Sequence, residues 1–148
     1  MSHQSKTATQ APPHIHLRDN ITILVVEDER GHYLVTEHCL RKANILNEVL
    51  WFENGQDVLA FLEDDECRRE DTKYLLILDI QMPEMNGVEI LRRIKSNPAL
   101  KDVIVIMLTG SDDMELAQRC YTLGCEAYLI KPPGRVLIKT IKRLSNRL

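Results

Sequence analysis

The stretch Tyr74–Gly87, which reads YLLILDIQMPEMNG, decides the fold of this chain. It opens with an uninterrupted apolar run that stops at Asp79. A run so short and uniform predicts a strand that is covered on both faces, as in a parallel sheet. Asp79 then lies at the carboxyl end of a central strand, where open α/β sheets bind their ligands. Pro83 and Asn86-Gly87 predict a turn before the next helix.

Similar apolar segments alternate with helical patterns through the rest of the chain. Strands are predicted at Ile21–Val26, Glu48–Glu53, Tyr74–Leu78, Val103–Leu108 and Glu126–Ile130. Helices are predicted over about residues 29–43, 55–63, 87–97, 111–123 and 135–147. We expect Asn54 to cap the second helix and Ser111 to cap the fourth, with Gly124 at its end. The last helix should bury Val136, Leu137, Ile141 and Leu144.

Five strands that alternate with five helices indicate an α/β fold. The expected architecture is a doubly wound, five-stranded parallel sheet of order 2-1-3-4-5, which is flavodoxin-like. We expect residues 1–20 to form a flexible N-terminal extension, because they are polar and carry Pro12-Pro13 and three histidines. His14 and His16 could bind a metal there, but two histidines in a flexible tail are usually ordinary polar residues. Residues 21–148 should form one domain, and no effector domain is expected.

The composition is that of a globular protein, with 148 residues, 44% hydrophobic and 28% charged. No apolar run approaches the roughly 20 residues of a membrane span, and the N-terminus does not resemble a signal peptide. We therefore expect a cytoplasmic protein with no membrane partner. The four cysteines show no CxxC pair, which favours reduced thiols.

Charge is unevenly distributed, although the net charge is only −3. Residues 131–148 contain six basic residues and no acid. We expect a solvated helix face there and no nucleic-acid partner, because no aromatic residues interleave with these cations.

Four of the predicted strands end in polar side chains, namely Glu27-Asp28, Asp79, Thr109 and Lys131. These residues should converge, because the carboxyl ends of parallel strands meet at one edge of the sheet. Three carboxylates in one cleft repel one another unless a cation joins them. Oxygen ligands suit Mg²⁺, and the backbone carbonyl of Gln81 is placed to help. Asp79 could then form an acyl phosphate, with Lys131 and Thr109 contacting the phosphoryl oxygens.

With these residues the chain, from Ile21 to its C-terminus, resembles a response-regulator receiver domain of two-component signalling. The features that carry the resemblance are the acidic pair after the first strand, Asp79 and the MP and NG that follow it, Thr109, and Lys131-Pro132. The resemblance implies that Asp79 accepts phosphate from the phosphohistidine of a sensor histidine kinase. The protein would then be a phosphoacceptor in signalling rather than an enzyme.

The resemblance also implies a metal site. Asp28, Asp79 and the backbone carbonyl of Gln81 would bind Mg²⁺, and Glu27 would help through a bound water. The cofactor expected on this basis is Mg²⁺.

A conformational response is implied as well. Thr109 would move toward the phosphoryl group, Tyr128 would follow by changing rotamer, and Lys131 would bridge to the phosphate. The bond between Lys131 and Pro132 is expected to be cis. The output would be a rearranged face formed by the fourth helix, the fifth strand and the last helix, which would contact a downstream protein or a phosphotransfer protein. A homodimer through the last helices is expected.

A narrower resemblance is to the stand-alone regulators that receive phosphate from bacterial phytochrome histidine kinases. It is carried by Glu29-Arg30-Gly31-His32, Asn47-Glu48, Asn54-Gly55-Gln56 and Arg119-Cys120-Tyr121-Thr122-Leu123-Gly124.

Three alternatives compete with the receiver interpretation. A phosphatase with an aspartate nucleophile would want a second acid two residues later, where this chain has Gln81. A flavin-binding module needs a phosphate loop after the first strand, and Glu27-Asp28-Glu29 would repel a phosphate there. A receiver-like interaction module that works without phosphorylation stays open. His32, His38 and Trp51 are predicted to be surface or packing residues.

Overall fold

The computed structural model describes residues 17–148, so the metal binding suggested for His14 and His16 lies outside the described residues. One sheet contains β1 (Ile21–Val26), β2 (Val49–Phe52), β3 (Lys73–Leu78), β4 (Ile104–Thr109) and β5 (Ala127–Ile130). The strands lie in the order β2-β1-β3-β4-β5, and every neighbouring pair is parallel. The predicted fold class and strand order are confirmed.

Five α-helices connect or follow these strands in the described part of the chain. They are α1 (Arg30–Lys42), α2 (Gly55–Glu63), α3 (Gly87–Lys95), α4 (Met114–Leu123) and α5 (Gly134–Leu144). Short 3₁₀ turns follow at Pro98–Leu100 and Ser145–Arg147. Most element ends lie within a few residues of the predicted ends. The last helix, α5, ends at Leu144 instead of at about residue 147, and α4 begins later than predicted.

The cap of α4 explains its later start. The predicted cap at Ser111 is wrong, because Asp113 is the N-cap and its carboxylate accepts hydrogen bonds from the N–H groups of Glu115 and Leu116. A carboxylate suits the positive end of a helix. Ser111 lies in the preceding loop, where its hydroxyl accepts a hydrogen bond from Asp113 N at 3.3 Å. At α2 the predicted cap is confirmed, since Asn54 accepts from Asp57 N at 2.8 Å.

A hydrophobic layer covers each face of the sheet. Helices α2, α3 and α4 pack on one face, and α1 and α5 pack on the other. Leu17 is buried in the second layer, so the folded part begins before the predicted boundary at Ile21. In α5, Leu137, Ile141 and Leu144 are buried as predicted.

One prediction for α5 is wrong, because Val136 is 58% exposed and Ile138 is buried in its place. The helical period of 3.6 residues puts Ile138 on the same side as Leu137 and Ile141. Val136 falls outside that stripe.

The strand register brings the polar strand ends to one level. Val26 pairs with Leu78, and the N–H of Asp79 donates to the carbonyl of Val26 at 3.1 Å. On the other side of the sheet Thr109 pairs with Ile130. The residues that follow β1, β3, β4 and β5 therefore share one edge of the sheet.

Within residues 17–148, no helix is both long enough and apolar enough to cross a bilayer. The four cysteines are free thiols, and burial raises the pKa of the Cys125 thiol to about 12.

Candidate functional site

Three carboxylates meet at the carboxyl edge of the sheet. Glu27, Asp28 and Asp79 each offer one oxygen, and these oxygens lie within 4.8 Å of one another. Glu27 and Asp79 are buried, at 4% and 6% exposure, whereas Asp28 is open to solvent. The fold thus joins carboxylates that the sequence places at the ends of two different strands.

Lys131 reaches the same cluster from the end of β5. Its Nζ lies 2.6 Å from Glu27 Oε1 and 3.4 Å from Asp79 Oδ2. The backbone N–H of Lys131 donates to the carbonyl of Thr109 at 2.8 Å, and the bond from Lys131 to Pro132 is cis, as the resemblance implied. One ammonium group faces three carboxylates, so the cluster retains negative charge that favours a further cation.

The pKa of Glu27 reflects the burial of its carboxyl group and the charges around it. Burial raises the pKa of the Glu27 carboxyl above its ordinary value of 4.5. The hydrogen bond from Lys131 opposes the rise, while the charge of Asp79 adds to it. A divalent cation would favour the ionised form of Glu27.

Asn86 and Gly87 hold the backbone that carries Asp79. A Cβ added at Gly87 would lie 2.2 Å from the carbonyl oxygen of Asp79 and 2.9 Å from the Cα of Ile80. The N–H of Gly87 donates to the carbonyl of Ile80 at 2.9 Å. The side chain of Asn86 accepts from Val88 N at 2.9 Å and caps α3. The NG pair therefore lets the start of α3 lie directly against the backbone of the site.

The backbone N–H of Gln81 lies next to Asp79. The side chain of Gln81 is exposed, and its N–H lies 3.4 Å from Asp79 Oδ1. This places the backbone N–H of Gln81 beside the carboxylate, while the amide side chain is exposed to solvent.

Thr109 and Tyr128 both contact the loop that begins α4. Thr109 is completely buried, and its hydroxyl accepts from Ser111 N at 3.4 Å. The hydroxyl of Tyr128, which is half-buried, donates to the carbonyl of Ser111 at 2.9 Å. Tyr128 therefore lies at this loop and not among the carboxylates.

Two residues that contact the site were not assigned to it from the sequence. His32 is exposed, as predicted, yet its Nδ1 lies 3.0 Å from Lys131 Nζ. The indole Nε1 of Trp51 donates to the backbone carbonyl of Glu27 at 2.7 Å. His32 lies in the first turn of α1, directly after Glu27-Asp28-Glu29, and its Nδ1 is 3.3 Å from Glu29 Oε2. This closeness in sequence was an available indication that His32 lies near the same edge of the sheet.

The donor set fits a hard cation. All three side chains offer oxygen, and Asp28 keeps the site open to water. Mg²⁺ prefers oxygen ligands and keeps several of its waters when it binds to proteins. The cluster is compatible with Mg²⁺ binding.

A family comparison agrees with this geometry. Residues 23–142 match the family described as "Response regulator receiver domain". The chain therefore belongs to the receiver-domain family of two-component response regulators.

Several individual proteins of this family are similar to the chain. Response regulator Rcp1 of Synechocystis sp. is 32% identical over 110 residues, which are 74% of this chain and 75% of that protein. Among solved structures, a receiver domain from Rhodospirillum rubrum has a TM-score of 0.70 at 34% identity, over 84% of this chain and 90% of that one. The bacteriophytochrome response regulator AtBRR has a TM-score of 0.72 at 30% identity, over 88% of this chain and 94% of that one. The chain is thus similar to bacteriophytochrome response regulators.

Proposed function

We propose that this protein is a response regulator that accepts a phosphoryl group on Asp79 from a sensor histidine kinase, with Mg²⁺ as cofactor. The supporting observation is the convergence of Glu27, Asp28 and Asp79 within 4.8 Å, with Lys131 Nζ 3.4 Å from Asp79 Oδ2. A buried carboxylate beside a lysine and an open acidic cluster suits nucleophilic attack on a phosphoryl group.

Asp28, Asp79 and the carbonyl of Gln81 would hold the metal, and Glu27 would act through a bound water. Bound Mg²⁺ would neutralise charge on the phosphoryl oxygens during transfer. Before phosphorylation, the positive charge of Lys131 beside Glu27 reduces the repulsion among the three carboxylates.

The transfer forms one bond and breaks one bond. A carboxylate oxygen of Asp79 attacks the phosphorus of the kinase phosphohistidine, and the N–P bond breaks. The imidazole nitrogen keeps the electron pair, and Asp79 becomes an acyl phosphate. Lys131 then turns from Glu27 toward the new phosphoryl oxygens, and the Thr109 hydroxyl donates to another.

The output would pass through the face formed by α4, β5 and α5. The bond from Tyr128 to Ser111 links β5 to the loop that follows Thr109, so a shift of that loop would release the Tyr128 ring. Large apolar side chains are exposed on each element of this face: Met114, Tyr121, Ile130 and Val136. We propose that this face binds a second copy of the chain and a downstream protein or phosphotransfer protein.

The kinase is proposed to be a bacteriophytochrome, acting in the cytoplasm. The support is the similarity to AtBRR, a bacteriophytochrome response regulator, over 94% of that chain. Phosphotransfer from a purified bacteriophytochrome kinase should be faster than transfer from a chemotaxis kinase. Equal or slower transfer from the phytochrome kinase would contradict the pathway while leaving the receiver function intact.

The function itself is tested with a small phosphodonor. Acetyl phosphate should label the wild-type protein in the presence of Mg²⁺ but not in EDTA, and Asp79→Asn should remain unlabelled. Equal labelling of the wild type and the variant would reject Asp79 as acceptor. A wild type that takes up no phosphate from acetyl phosphate or from any kinase would favour the phosphorylation-independent module.

A further inference from the structure

Every polar group of Glu27 has a hydrogen-bond partner. Its N–H donates to the carbonyl of Phe52 at 3.0 Å, and its carbonyl accepts from the indole of Trp51 at 2.7 Å. In the side chain, Oε1 accepts from Lys131 at 2.6 Å and Oε2 accepts from Glu29 N at 3.2 Å. The backbone partners come from β2, an element that contributes no carboxylate to the site.

Trp51 supplies the donor at the point where the sheet ends. β1 and β2 pair through Val25 with Trp51 and Val26 with Phe52, and both strands stop there. The carbonyl of Glu27 lies one residue beyond this ladder. A buried backbone carbonyl requires a hydrogen-bond partner, and the indole N–H provides it.

The indole ring is itself held in place by α1. It stacks on the ring of Tyr33 with a centroid distance of 4.6 Å and an interplanar angle of 3°. The Tyr33 hydroxyl donates to Glu37 at 3.2 Å, which fixes the outer end of the stack. The stack with Tyr33 therefore favours the ring orientation in which the Trp51 N–H points at the carbonyl of Glu27.

The hydrogen bond to the Glu27 carbonyl also restricts the backbone of Asp28, because the two residues share a planar peptide group. The carbonyl of Glu27 and the N–H of Asp28 belong to one rigid peptide group. Asp28 is exposed, so its position near Asp79 depends on the backbone from which it projects.

We propose that Trp51 is a positioning residue of the metal site, because its indole N–H fixes the Glu27–Asp28 peptide and so directs the Asp28 carboxylate toward Asp79. The inference rests on the proposed function, since it assigns a supporting role at the same cation site. Partners that orient metal ligands commonly change metal affinity when they are removed.

Calorimetric titration of the full chain with Mg²⁺ tests the inference. Trp51→Phe keeps an aromatic ring that can stack on Tyr33 and removes the N–H donor, together with part of the indole ring system. It should weaken Mg²⁺ binding by about threefold to tenfold, the equivalent of one lost hydrogen bond. Tyr33→Leu is the matched control, because it removes the stack but keeps the donor, and it should weaken binding less than Trp51→Phe does.

A double-mutant cycle with Asp28 separates positioning from a general loss of stability. Mn²⁺, which accepts the same oxygen ligands, can be followed by the electron paramagnetic resonance of the free ion. In the Asp28→Asn background, Trp51→Phe should change Mn²⁺ affinity by less than about twofold, because the carboxylate it directs is gone. Urea unfolding of each variant shows that it is folded.

The results of these titrations distinguish failure of the role of Trp51 from failure of the proposed function. Unchanged metal affinity in Trp51→Phe, or equal effects of Trp51→Phe with and without the Asp28 carboxylate, would overturn the role of Trp51 while leaving the proposed function intact. Metal binding that is unaffected by Asp79→Asn would overturn both proposals.

Discussion

At the scale of single residues, Glu27 is a carboxylate whose burial is electrostatically unfavourable. It is 4% exposed, lies beside another carboxylate and depends on Lys131 for compensation. Removal of Lys131 would leave a buried charge without its partner, which is more destabilising than loss of an exposed pair.

The raised pKa of Glu27 predicts a pH dependence of stability in the absence of metal. The folded protein keeps the Glu27 proton to a higher pH than the unfolded chain, where the pKa has its ordinary value of 4.5. As the pH rises from about that value through the folded pKa, the unfolded chain binds fewer protons, so the free energy of unfolding decreases. Glu27→Gln should remove this decrease. Urea unfolding in EDTA at a series of pH values measures the difference.

Asp28→Asn is the matched control for that experiment, because Asp28 is exposed and neighbours Glu27. Its stability should follow the wild-type pH dependence more closely than Glu27→Gln does. Parallel curves for the wild type and Glu27→Gln would contradict a raised pKa at Glu27.

Gly87 provides a steric prediction at the same scale. Gly87→Ala would place a methyl group 2.2 Å from the Asp79 carbonyl, so the backbone must move. We expect a loss of at least about 2 kcal/mol in the free energy of unfolding, together with weaker Mg²⁺ binding. Chemical denaturation and calorimetry measure the two effects.

Gly31→Ala is the control for Gly87→Ala. Gly31 lies in α1, and a Cβ added there would meet no atom of another element of the described structure within 4 Å. The substitution should stabilise the protein by about 0.5–1 kcal/mol. Equal effects of the two substitutions would show that contact with the Asp79 backbone is not the cause.

At the scale of secondary-structure elements, Glu126 ties the opposite edge of the sheet together. Its Oε1 accepts from Val105 N at 2.7 Å, and its Oε2 lies 3.1 Å from Lys95 Nζ and 3.4 Å from Arg147 Nη2. One carboxylate therefore joins the end of α3, the start of β4 and the C-terminal 3₁₀ turn.

Glu126→Ala should cost about 3 kcal/mol of unfolding free energy, because it leaves the N–H of Val105 without its partner and Lys95 without its counter-charge, with only the carbonyl of Val103 still accepting from Lys95 Nζ. The carboxylate is only 7% exposed, so solvent screens the pair weakly. Glu89→Ala breaks an exposed pair with Arg92 and should have a much smaller effect. Urea denaturation of both variants measures the difference, and a similar small loss for each would contradict the anchoring role.

The elements themselves were largely predictable from the sequence. Apolar runs and turn residues determine the strands, and the shared edge of a parallel sheet brings Asp28, Asp79 and Lys131 together. The prediction that Val136 is buried was wrong, because a single apolar residue at the start of a helix can belong to either of two helix faces. The roles of His32 and Trp51 were missed, because they depend on how α1 crosses the sheet and on where β2 ends.

At the scale of the whole molecule, the proposed output face predicts a dimer. The exposed Ile130 and Val136 lie on β5 and α5, and a second copy could cover them. Light scattering after gel filtration should show a dimer that strengthens with beryllofluoride, a phosphate mimic. A combined Ile130→Lys and Val136→Lys variant should be monomeric, because two copies would bring like charges together.

Leu34→Lys is the control for the dimer. Leu34 is 45% exposed but lies on α1, outside the α4–β5–α5 face. This variant should dimerise like the wild type. A wild type that stays monomeric with and without beryllofluoride, or equal disruption by Leu34→Lys, would contradict the proposed face.

The central claim is that Asp79 becomes an acyl phosphate within the carboxylate cluster. Borohydride reduction after incubation with acetyl phosphate and Mg²⁺ converts a phosphorylated aspartate into homoserine, and peptide mass spectrometry locates it. We predict homoserine at Asp79 alone, and none when EDTA replaces Mg²⁺. Homoserine at Asp28, or at Asp79 regardless of the metal, would contradict the account.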